Sequence, residues 1–195
     1  MSTKIPGYAY GSAEVGHSPV SLRDLHALMQ SVGWTDEDAD RLKAAGKVFS
    51  SRAEAMVDGW RKIIGEQPQL VRWFLKPDGK PDEEYKAAVK KRFVQWVRDT
   101  GERDYDQAWL DYQHEIGLRH TLAKKNATDG GHTPPLVPLR YLITFAEIVG
   151  QSGRDYLVEA GFVGGELEGM HAAWRKSVLL QVALWSRAYA QDGLW

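Results

Sequence analysis

A chain of 195 residues can enclose a core of its own and is short for two. Its 25 lysines and arginines nearly cancel its 26 aspartates and glutamates, leaving no net field to gather nucleic acid or an anionic membrane surface. Cysteine is absent, which excludes disulfides, thiolate ligation of a metal, iron–sulfur clusters and cysteine-based zinc sites together. Histidine is then the strong nitrogen donor left.

Residues 1–20 are rich in Gly, Pro, Ser and Tyr without a period of 2 or 3.6, and are expected to form an extended arm. The start, MSTKIPGYAYGS, lacks the charged segment and apolar run of a signal peptide, and no stretch approaches ~18–20 uninterrupted apolar residues. A soluble, cytoplasmic protein is expected. Ser21 with Asp24 opens a short helix carrying Leu22, Leu25, Leu28 and Met29, and Thr35 with Asp38 opens a second through Leu42 and Ala45. Ser51 with Glu54 predicts a third, separate helix through Met56, Trp60, Ile63 and Ile64, ended by Pro68. After LVRWFL, the KPDGKP run (76–81) predicts a turn before a helix at about 82–100. There Tyr85, Val89, Phe93 and Trp96 share one face, with Lys86, Lys90 and Lys91 on the wet side.

Residues 104–120 form the next expected helix, and 121–135 (TLAKKNATDGGHTPP) a polar loop. Two helices follow, at about 136–160 and 166–190, apolar almost all round in LRYLITFAEIV and VLLQVALW. Each then needs cover on two sides, more than one small domain is expected to give. Positions such as Leu180 are expected to face outward, across a two-fold axis, in a homodimer joined by a four-helix bundle. No window alternates as a strand does, so the expected fold is all-α, with one domain over 21–195. Eight Trp, eight Tyr and five Phe suit either an ordinary aromatic core or the enclosure of a large flat partner.

The segment DYDQAWLDYQHEIGLRH (104–120) carries the chemistry. Tyr105, Trp109, Tyr112, Ile116 and His120 recur at steps of four, three, four and four, so His120 ends an inward stripe. His114 falls about 240° away, beside Asp111 and Glu115, where a surface histidine would lie. Gly117, one turn before His120, permits a bulky partner close to the backbone. A lone inward histidine at a helix end is more often a hydrogen-bonded core group or a charge complementing the terminus than a metal ligand. Of the other histidines, His17 and His132 sit in loops and His26 and His171 on exposed-looking helix faces; none has a partner at metal-site spacing, so no second metal is expected.

IPGYAYG (5–11), KRFVQWVRDT (91–100), YDQAWLDYQHEIGLRH (105–120), KKNATDG (124–130), PLRYLI (138–143) and LQVALWS (180–186) resemble the protoglobins, single-domain relatives of globin-coupled sensors. The likeness keeps its spacing across nearly the whole chain. It implies a globin fold with an extra N-terminal helix and arm, a homodimer, haem b as cofactor, and His120 as the proximal iron ligand. Trp60 and Phe93 match distal residues of that family, and Phe145 and Val149 match residues lining the haem and its gas tunnel. Tyr112 and Ile116 share the stripe of His120, while Val89 and Phe93 would give the distal side an apolar lining open to small gases. Arg92 is placed to reach a haem propionate or solvent.

At Arg61 the chain departs from the pattern, because protoglobins commonly carry Tyr there, with a hydroxyl that can hydrogen-bond oxygen in the pocket. An arginine between Val57 and Ile64 is expected to send its head out to solvent or a propionate, leaving the Trp60 indole N–H as the one remaining donor. The function implied is reversible binding of O2, CO or NO at a pentacoordinate iron. Two alternatives stay open. One is haem catalysis on nitric oxide, peroxide or carbene and nitrene precursors, against which stands the lack of a distal acid–base residue; the other is a haem-free helical regulator.

Overall fold

The computed structural model describes residues 5–195, so the first four residues of the expected arm lie outside the described part. Seven α-helices occur among the described residues: α1 Leu22–Ser31, α2 Asp36–Glu66, α3 Pro68–Val71, α4 Glu83–Glu102, α5 Gln107–Leu118, α6 Leu139–Glu159 and α7 Gly164–Ser186. Short 3₁₀ turns follow α3 (Arg72–Phe74) and α7 (Arg187–Tyr189). No strand forms among the described residues; the one β-type contact is an isolated bridge from Leu75 to Pro81 that closes the KPDGKP turn.

The helix starts follow local chemistry. Both expected capping boxes are present, Ser21 with Asp24 and Thr35 with Asp38. Asp82 and Asp106 cap α4 and α5, accepting from the backbone N–H of Tyr85 at 3.1 Å and of Trp109 at 2.8 Å. Ser51 starts nothing. Its hydroxyl donates to the Val48 carbonyl at 2.7 Å within the helix, and α2 runs unbroken for 31 residues. With the serine satisfied by a carbonyl one turn back and no proline within α2, nothing interrupts the hydrogen-bond ladder.

α7 is the central helix, packed against α2, α5 and α6. The expectation that one chain can cover α7 on only one side is therefore wrong. Leu180, expected to face outward, is 0% exposed in a cluster with Val20, Leu25, Trp109, Leu110 and Leu184, where α1 meets α5 and α7. Most of the apolar circumference of α7 is covered inside this chain. α6 is different, for it leaves Ile143, Ile148 and Val158 exposed, and Leu179 of α7 is exposed as well.

α2 and α4 cross where two glycines meet: a Cβ on Gly101 would stand 2.4 Å from the Gly46 Cα. The larger core cluster gathers beside this crossing, with Phe49, Trp60, Val97 and Trp174 fully buried. Gly117 also permits a close approach, but of α7 and not of a ligand, since a Cβ there would lie 3.0 Å from the Trp185 carbonyl oxygen.

The described arm lies across α4 and α5. The Tyr8 hydroxyl donates to Asp99 at 2.7 Å, Ser18 N–H donates to Asp111 at 2.8 Å, and the rings of Tyr8 and Tyr10 both meet the Tyr112 ring edge-on at 5.4 Å. Among the described residues no helix is long and apolar enough to cross a membrane.

Candidate functional site

A cavity of about 520 Å³ opens among the C-terminal half of α2, the 70–74 segment, α4, α5, the loop after it, α6 and α7. Volumes of a few hundred to about a thousand cubic ångströms are typical of cofactor and ligand pockets. Val89, Phe93 and Trp96 of α4, Phe145 and Val149 of α6, and Val178 and Val182 of α7 give it apolar walls.

His120 lies in the turn just past the end of α5 and lines this cavity. Its Nδ1 is 2.8 Å from the Ile116 carbonyl oxygen. A carbonyl can only accept, so the proton sits on Nδ1 and Nε2 carries a lone pair with no protein partner among the described residues. Burial pushes the imidazole down to about 4, and the ring is neutral near pH 7. Several contacts hold it in place. The Trp185 ring lies alongside at 5.8 Å and 23°, and the Val137 N–H donates to the His120 carbonyl at 2.9 Å. The Tyr189 hydroxyl donates to the Val137 carbonyl at 2.6 Å.

The other residues singled out in the sequence distribute as follows. Tyr112, Ile116, Val89, Phe93, Phe145 and Val149 line the cavity together with His120. Trp60 stands behind that wall, 1% exposed, its ring 5.0 Å from Phe93, and its indole N–H donates to Ser152 at 2.7 Å. It therefore has no donor left for the cavity, contrary to expectation. Arg61 lines the rim, its guanidinium 3.7 Å from Asp58, a carboxylate that also receives Lys90 at 2.7 Å. Arg92 also lines the cavity, but its fork is engaged by Asp129 at 2.8 and 2.6 Å and by the Pro6 carbonyl at 2.9 Å.

Two histidines were misplaced by the sequence. His114 is half-buried and its Nδ1 has no partner among the described residues, while burial lowers its pKa. His171 is buried where α6 covers α7, and its Nε2 lies 3.1 Å from the Gly150 carbonyl. Lys125, Trp73 and Trp185 are cavity residues the sequence did not mark. Lys125 sits in a stretch that reads as a polar loop, and Trp185 on a helix whose apolar residues point everywhere, so neither phase nor composition separates them from their neighbours.

Residues 21–195 match the Protoglobin family. The chain belongs to the protoglobin family. Comparison with curated proteins finds no match. Protoglobins are haem-binding globins, and the all-helical architecture is that of a globin. The residues present suit such a group: a neutral histidine with a free Nε2 lone pair, flat aromatic and branched apolar walls, and cationic side chains around them.

Proposed function

We propose that this cavity holds haem b with His120 Nε2 as its proximal ligand, and that the opposite face admits O2, CO or NO at a pentacoordinate iron. The observation that carries this reading is the bond from His120 Nδ1 to the Ile116 carbonyl, which fixes the tautomer a metal requires and leaves Nε2 at the cavity wall. Haem held by His120 would supply an iron able to bind a small gas. The chain supplies everything around it. Trp185 and the Tyr189–Val137 contact steady the imidazole, and Val89, Phe93, Phe145 and Val149 exclude water from the far side. The Trp60 N–H is committed to Ser152 and the Arg61 head to Asp58, so the distal side offers a gas few hydrogen bonds.

Oxygen is therefore held weakly, while carbon monoxide, which depends less on such donors, binds well. Catalysis that needs a distal acid or base is not favoured. Among the described lining residues the one carboxylate is Asp58, tied to Lys90 and Arg61. The same reading takes residues 21–195 as the haem domain with 1–20 as an N-terminal arm, a cytoplasmic setting, and a homodimer formed through α6 and the exposed edge of α7.

Titration of the purified chain with haemin tests the ligand. The parent should give a Soret band at one haemin per chain; His120→Ala should lose tight retention and recover it with added imidazole; His114→Ala, outside the cavity, should titrate like the parent. No Soret band in the parent would leave only the haem-free regulator, and loss in His114→Ala with retention in His120→Ala would overturn the ligand assignment.

A further inference from the structure

Six cationic side chains line the cavity: Arg61, Lys62, Lys86, Arg92, Arg119 and Lys125. Four are paired, Arg61 with Asp58, Lys86 with Glu83, Arg92 with Asp129 and Arg119 with Glu115, and Lys62 is exposed to water. Lys125 alone among them is buried, 2% exposed, and its hydrogen-bond partners among the described residues are neutral groups, not a carboxylate. Its Nζ donates to the Trp73 carbonyl at 3.1 Å and to the Thr133 hydroxyl at 2.6 Å, and lies 4.9 Å from the centre of the Tyr85 ring. An ammonium has three N–H groups, and the third meets no hydrogen-bond acceptor among the described residues.

This nest is built in advance of any ligand. Thr133 is itself held by Asn126, which accepts from the threonine hydroxyl at 3.1 Å and donates to the threonine carbonyl at 2.6 Å. On the same wall the indole N–H of Trp73 is buried with no acceptor among the described residues. A buried cation whose hydrogen-bond partners are neutral, beside a buried donor without a partner among the described residues, is a site short of one anion. Burial pushes the lysine down to about 8 although the Asp82 carboxylate opposes the shift, the sign of a charge that is desolvated and not compensated.

We infer that Lys125 receives a carboxylate of the cavity's ligand, which on the haem reading is one of the two propionates. The inference rests on that reading and deepens it. A propionate held here would accept a charge-assisted hydrogen bond from Lys125 beside the Trp73 segment and the loop after His120.

The test compares haemin with haemin dimethyl ester, whose propionates carry no charge, by Soret titration of the parent and of Lys125→Met. The parent should prefer haemin, and Lys125→Met should lower that preference about tenfold, as for one buried charge-assisted bond. If Lys125→Met does not fold, the parent alone decides. The Lys125 side-chain NMR signal is titrated in the chain loaded with zinc protoporphyrin or with its dimethyl ester. The free acid should raise the lysine pKa by about one unit or more relative to the ester. An unchanged preference in Lys125→Met, or equal lysine pKa values with both porphyrins, overturns the inference and leaves the haem reading standing. A parent that takes up neither haemin nor its ester overturns both.

Discussion

The proton on His120 Nδ1, held by the Ile116 carbonyl, decides what the other ring nitrogen can do, and it also has a consequence for stability. The folded chain keeps this imidazole at about 4, below the ordinary 6.5, because burial disfavours its charge. As pH falls from 6.5 toward 4 the unfolded chain takes up a proton that the haem-free folded chain refuses, so stability is lost across that window, on the order of 2 kcal/mol. Thermal melts of the haem-free parent should fall more steeply between these pH values than melts of His120→Gln; parallel acid limbs would contradict it. Arg61 stands where the resemblance to protoglobins implies a tyrosine. Arg61→Tyr restores a hydroxyl donor at the distal edge and should slow oxygen dissociation about tenfold, equal to ~1.4 kcal/mol for one hydrogen bond. An unchanged or faster off-rate in stopped-flow would show the donor role already filled. At this scale the sequence was legible where a residue sits on a clean stripe, as His120, Ile116 and Phe93 do. It was illegible where burial comes from another element: α6 buries His171, and the Trp73 carbonyl and Thr133 bury Lys125.

Helices α2 and α4 build one wall of the cavity, and their crossing depends on the absence of two side chains. Helix propensity alone favours alanine over glycine by about 1 kcal/mol. Contact opposes it, because the Cβ of an alanine at 101 would lie 2.4 Å from the backbone of Gly46, and backbone cannot step aside. Gly101→Ala should therefore destabilise, by about 1–3 kcal/mol, lowering Tm by a few degrees or more for a chain of this size. A raised Tm in calorimetry would mean the crossing is looser than described. Neither glycine announces this in the sequence, where each reads as a weak point in a helix. The same gap explains Ser51. A capping pattern marks where a helix can start, but whether it does depends on an interruption in the ladder, and none precedes it. Ser21, Thr35 and the KPDGKP turn were legible because their chemistry is local.

For the whole molecule, the all-helical fold followed from periodicity, while the assignment of apolar surface to inside and outside did not. Both α6 and α7 are rich in apolar residues, but α7 spends them on α2, α5 and α6, leaving an outer patch made mainly by α6. The proposed dimer therefore turns on Leu179, 56% exposed, and Ile143, 54% exposed, and not on Leu180. Leu179→Glu should shift the chain to monomer in sedimentation with its fold kept, whereas Leu180→Glu should fail to fold; a monomeric parent would contradict the dimer. Haem, if it fills the cavity, joins α4, α5, α6 and α7 into one cooperative unit, so its removal should lower Tm. The most direct measurement is the absorption spectrum of the ferrous parent before and after carbon monoxide. A pentacoordinate ferrous Soret band that sharpens and shifts on adding the gas, and that is lost in His120→Ala until imidazole is supplied, is the expected result. A six-coordinate ferrous spectrum indifferent to carbon monoxide, or one unchanged by removing His120, would contradict it.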